Sequence, residues 1–72
     1  MHAFYFLFYP NYKYKNFVQQ VIAENKTSAI HIMNVSYSDN WYMIFSQSEF
    51  ESYINSYGYQ DIKPLPPLYE KK

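Results

Sequence analysis

The chain has 72 residues, six Lys against six acidic residues for a net charge of zero, no Arg and no Cys. Neutrality removes the electrostatic footprint of a phosphate-backbone binder or of an acidic nucleic-acid mimic, and the missing cysteines exclude a disulfide framework and a thiolate metal site. A chain this short buries only about 60% of the surface its unfolded form exposes, so ten Tyr, six Phe and one Trp must supply the core by apolar packing alone.

Residues Ala3 to Tyr9 are apolar or aromatic at every position, which predicts a strand covered on both faces. Phe4, Phe6 and Phe8 share one side of it, and Ala3, Tyr5, Leu7 and Tyr9 the other. The run is far short of the roughly 20 residues that span a bilayer. Met1-His2 offers no basic leader segment, so a cytoplasmic protein is expected, without membrane partners. Pro10-Asn11 ends the strand, with Asn11 as a candidate helix N-cap. Tyr14, Phe17, Val18, Val21 and Ile22 then follow the i, i+3, i+4, i+7, i+8 spacing of an amphipathic helix, which leaves Gln19 and Gln20 to solvent.

Ala29 to Tyr37 reads as a strand, Ser38-Asp39-Asn40 as a turn and Trp41 to Phe45 as the returning strand of an antiparallel hairpin. Ser46-Gln47-Ser48-Glu49 has the form of a capping box and predicts a second helix with the stripe Phe50, Tyr53, Ile54 and Tyr57. Gly58, the only glycine, is placed as its left-handed C′ residue. Tyr59 to Lys63 offers a short last strand. Pro64-Leu65-Pro66-Pro67 cannot donate ladder bonds and belongs at an edge, in a turn or in polyproline II.

The resulting order, β-α-β-β-α-β, predicts an α+β fold of the small ferredoxin-like, split βαβ kind, an antiparallel sheet with two helices on one face. Residues 1–63 form its single α+β domain and 64–72 a Pro-rich extended C-terminal tail.

The chemistry-bearing inventory is thin. His2 and His31 are the only groups that titrate near neutrality, no metal-ligand spacing links them, and a single glycine leaves no phosphate-cradling loop. No catalytic residue, cofactor or metal site is expected, and the chain reads as a non-enzyme. A catalytic or small-molecule-binding dimer that uses His31 would need a closed pocket around it.

Aromatic side chains give large contact area with few rotors to freeze, which points to a protein-binding surface. Tyr5, Tyr9, Tyr37, Trp41 and Tyr42 are its candidates. Pro66, Pro67 and Tyr69 join them, because Pro66-Pro67-Leu68-Tyr69 fits the Pro-Pro-x-Tyr ligand of WW domains and Lys63 to Leu68 resembles a PxxP ligand of Src-homology-3 domains. Simple packing of Leu65, Leu68 and Tyr69 across a hydrophobic seam is the favoured use of this segment.

The expected strand order also resembles the RNA-recognition motif, whose sheet aromatics stack bases. That resemblance would place Phe4, Phe6 and Phe8 or Tyr5 and Tyr9, with Tyr42 or Trp41 and Phe45, on an open platform. The basic and glycine residues of that family's third-strand signature are missing from Asn40 to Phe45, so nucleic acid is the less favoured partner. A self-associating dimer is a further alternative.

Tyr, Phe, Ile, Asn and Lys make up nearly half the chain, an AT-rich codon bias. It suggests an inhibitor of a phage or mobile element, of the anti-defence type, acting stoichiometrically on a host protein.

Overall fold

The structure is a computed structural model that describes residues 1–57 and 62–71. Strand β1 (His2–Phe8) forms where the unbroken apolar run predicts it. Residues 9–16 fold into successive turns, with the N–H groups of Tyr12, Lys15 and Phe17 donating to the carbonyls of Tyr9, Tyr12 and Tyr14. Asn11 therefore caps no helix. The segment expected as the first helix is instead strand β2 (Phe17–Ala23), which returns antiparallel along β1 with Phe4 opposite Val21 and Leu7 opposite Val18. Phe17 and Val21 lie on one face of the sheet, Val18 and Ile22 on the other. With apolar residues needed on both faces the period of two disappears, and a spurious helical period takes its place.

Helix α1 (Lys26–Tyr37) occupies the stretch expected as a strand. Asn25 starts it, its extended backbone and side-chain Oδ1 accepting the Ser28 N–H at 2.9 Å. Ala29 and Met33, four residues apart, are fully buried, whereas Val35 is 73% exposed. The β-branched Ile30, Ile32 and Val35 favour a strand locally, but the cap and the buried i, i+4 pair decide otherwise. Ser38 ends the helix with φ 57° and ψ −126°, and the Asn40 N–H closes a turn onto the Tyr37 carbonyl. Glycine is the usual occupant of such a position, the second residue of a type II′ turn.

Strand β3 (Trp41–Ser46) forms as expected, but pairs with β1 rather than with residues 29–37. Its register keeps Leu7 opposite Met43 and then jumps to Phe8 opposite Trp41, so Tyr42 is an extra residue in a β-bulge. The bulge moves Trp41 onto the face of Phe8 and Ile44. Simple alternation had grouped it with Phe45.

Helix α2 (Gln47–Tyr57) opens with the predicted capping box. The Ser46 N–H donates to Glu49 Oε1 at 2.8 Å and the Glu49 N–H to Ser46 Oγ at 3.3 Å. Gly58, the proposed end of this helix, lies outside the described residues, as does most of the strand expected at 59–63. Two-residue strands β4 (Lys63–Pro64) and β5 (Leu68–Tyr69) then run parallel to β2 along its outer edge.

The product is a small α+β domain with two helices and a mixed five-stranded sheet in the order β3-β1-β2-β4, with β5 also on β2. The ferredoxin-like order does not occur, because β1 and β2 form the hairpin that the helix reading of residues 14–22 had excluded. Nor do both helices share a face. Phe6, Phe8, Val21 and Ala23 pack beneath Ala29 and Met33 of α1. On the opposite face Tyr5 stacks on Phe50 of α2 at 4.6 Å, and Phe45 lies 4.8 Å from the Tyr53 ring.

The Ser46 backbone bond, then its hydroxyl, with Lys26 contributing, hold the Glu49 carboxyl below its ordinary value of 4.5. A carboxyl whose pKa is depressed by folding adds stability above its unfolded pKa and loses it as pH falls through the folded one. In thermal melts, wild type should exceed Glu49→Gln in Tm near neutrality, and the gap should close below the folded pKa. A gap unchanged from neutral to acid pH would mean that the ionised carboxylate contributes nothing to the cap.

Candidate interaction surface

The eight residues expected at a partner surface separate into half-buried and exposed groups. Tyr37 is half-buried and packs against the core. Its ring packs edge-on to Phe8 at 4.9 Å, and its hydroxyl donates to Gln19 Oε1 at 2.7 Å. Burial, then the neighbouring Tyr14 and Tyr12, raise its pKa above the ordinary 10.0.

Gln19 itself is 1% exposed in the middle of β2. Its Nε2 donates to the Gln20 carbonyl at 2.9 Å and to the Pro66 carbonyl at 2.8 Å. The reason lies in the tail. Lys63 and Leu65 donate to the carbonyls of Asn16 and Val18, so the next donor in a parallel ladder would be residue 67, reaching Gln20. Proline has no N–H to give. The Gln19 amide fills that gap, and the ladder resumes one residue late with the Glu70 N–H on the Ile22 carbonyl. Pro66 and Pro67 are therefore exposed side chains on a backbone fixed to the sheet edge, while Leu65 and Leu68 pack against the core.

Trp41 and Tyr5 are half-buried. Trp41 meets Phe6 edge-on at 5.0 Å and donates its indole N–H to Asn34 Oδ1 at 3.0 Å. Tyr5 is stacked beneath Phe50, and its hydroxyl accepts from Gln20 Nε2 at 3.3 Å. An open aromatic platform on the sheet is thus absent over β1, because α1 covers Phe6 and Phe8 and α2 covers Tyr5.

Tyr9, Tyr42 and Tyr69 remain on the surface, 45%, 44% and 65% exposed. Tyr9 and Tyr42 stack on one another with centroids 5.1 Å apart. The bulge supplies Tyr42, and the bond from the Tyr9 N–H to the Asn40 carbonyl holds the two backbones together. Beside them Leu7, Lys15, Asn16, Tyr53 and Ile62 help to line a hollow of about 250 Å³. Tyr69 stands apart, on a groove of about 720 Å³ between α1 and β5 that includes Val35 and the exposed His31. Among the described residues no three of His, Asp and Glu gather at a metal-binding distance, and no helix is long and apolar enough to cross a membrane.

Two residues that matter here escaped sequence reasoning. The only local signal of Gln19 is its polarity, which points to solvent, and that of Val35 is its β-branching, which points to a strand. No protein-family model, curated protein or solved structure matches the chain.

Tyr37→Phe removes the donor to a buried amide oxygen and should cost about 1–3 kcal/mol in denaturant unfolding, with the ring packing retained. Truncation after Lys63 removes Leu65, Leu68 and the Pro66 acceptor together, and should lower Tm by about 10 °C or more. An unchanged melt would mean that the tail adds nothing to the core.

Proposed function

We propose that this chain is a non-enzymatic protein-binding module that acts stoichiometrically through the surface centred on the Tyr9–Tyr42 pair. The observation that carries the reading is that two large rings remain nearly half exposed while stacked on each other, where most other aromatic rings among the described residues are buried or half-buried. Stacking fixes both side chains before any partner arrives, so little rotamer entropy remains to be lost on binding. The pair offers contact area with a hydroxyl at its edge, a combination enriched at binding hot spots.

The proposed setting is cytoplasmic, with a host protein as partner and the chain serving as an inhibitor of a phage or mobile element. What supports that setting is composition alone: small size, zero net charge and an AT-rich codon bias. Single-stranded nucleic acid is the alternative partner, favoured by Lys15 beside Tyr42 in the same hollow.

Capture from a bacterial lysate with the tagged chain, beside a Tyr9→Ala, Tyr42→Ala double variant and with or without nuclease, tests the reading. One protein at a fixed ratio should be retained after nuclease and lost in the variant. Recovery that depends on nucleic acid and falls steeply with salt would replace it with the nucleic-acid reading. Identical recovery by the variant would remove the ring pair from the interface.

A further inference from the structure

The two edges of the sheet differ in kind. The β4–β5 edge is blunted: its ladders are two residues each, it carries Lys63, and Pro64, Pro66 and Pro67 have no N–H to offer. These are devices by which proteins prevent edge-to-edge pairing. The β3 edge has Trp41, Tyr42, Met43, Ile44, Phe45 and Ser46, with no proline and no charged residue. Among the described residues β1 is its only sheet partner, and none of its six side chains is fully buried. The bulge lies at its first residues and leaves Met43 to Ser46 in regular pairing.

We propose that β3 is a dimerisation edge, occupied by β3 of a second copy in antiparallel alignment, so that two five-stranded sheets become one. The occupant follows from three features. An uncharged strand meets its own copy without like-charge repulsion, whereas a charged partner strand would find no complement on it. Antiparallel self-pairing satisfies the symmetry of a two-fold dimer, the commonest closed assembly. The proline-blocked opposite edge stops the pairing at two copies, where two open edges would give a filament.

Symmetry also fixes the register. A two-fold axis normal to the sheet keeps each copy's α2 face continuous with the other's, so some residue must lie opposite itself. Ile44 on the axis centres the regular part of the strand. Met43 then lies opposite Phe45 of the second copy and diagonal to the other Met43, at about 7–8 Å.

This inference goes beyond the Tyr9–Tyr42 reading and is tested separately from it. Sedimentation equilibrium of the whole chain should give twice the 8.8 kDa of one chain. Met43→Lys and Met43→Glu should each weaken self-association by about tenfold or more, with melting retained, and an equimolar mixture of the two should restore the dimer. Restoration by mixing cannot arise from misfolding of either variant. A monomeric wild type, a dimer that both variants keep, or a mixture that stays monomeric would each overturn the proposal. The single Tyr9→Ala variant, which leaves β3 unchanged, should remain dimeric, which separates loss of the captured protein from loss of self-pairing.

Discussion

Three prolines near the end of the chain determine how the sheet can be finished, and the buried amide of Gln19 is what makes that finish possible. A parallel edge strand must donate to every second carbonyl of its neighbour, and Pro67 fails to do so opposite Gln20. The amide on the preceding residue supplies the missing donor, accepts the Tyr37 hydroxyl and binds the Pro66 carbonyl. One side chain thereby joins the middle of β2, the last turn of α1 and the tail. A buried polar group of this kind specifies a unique arrangement because every alternative leaves an atom unpaired. Among the described residues no buried side-chain nitrogen or oxygen lacks a partner.

The second constraint is the bulge at Tyr42. A regular β3 would send Trp41 to the α2 face and Tyr42 to the α1 face. The extra residue sends the indole inward against Phe6, where Asn34 takes its N–H, and leaves Tyr42 outside to stack on Tyr9. The same local irregularity therefore completes the core and creates the exposed ring pair. Edge-on and stacked contacts of this type each add about 0.5–1.5 kcal/mol beyond the area they bury, so the aromatic content serves both purposes.

Covering both sheet faces has a consequence for function. With α1 on one side and α2 on the other, the flat surface that would stack bases is occupied by the protein's own rings. The two surfaces proposed for interaction lie at the periphery: the Tyr9–Tyr42 pair at the start of β3, and the β3 edge itself. The two are adjacent but use different chemistry, ring contact in one case and backbone hydrogen bonding in the other. The proposed partner recognition and the proposed self-pairing can therefore be separated by substitution at Tyr9, which lies outside β3.

The sequence by itself determined the elements whose signals are local. β1 follows from seven residues without a turn former, and α2 from a capping box followed by Phe50, Tyr53 and Ile54. The exclusion of the tail from the sheet interior follows from prolines that cannot donate, and its place at the edge, rather than in a turn or polyproline II, from its pairing with β2. Tertiary structure decided the rest. Residues 14–22 carry a helical spacing, but β1 offered a hairpin partner and two faces to fill, and Gln19 could be buried because Tyr37 and Pro66, 18 and 47 residues away, met its hydrogen bonds. Residues 29–37 carry strand formers, but Asn25 and the burial of Ala29 and Met33 under the sheet made them a helix. The exposed ring pair depended on a bulge that alternation along one strand does not encode, since it arises only from the register between two.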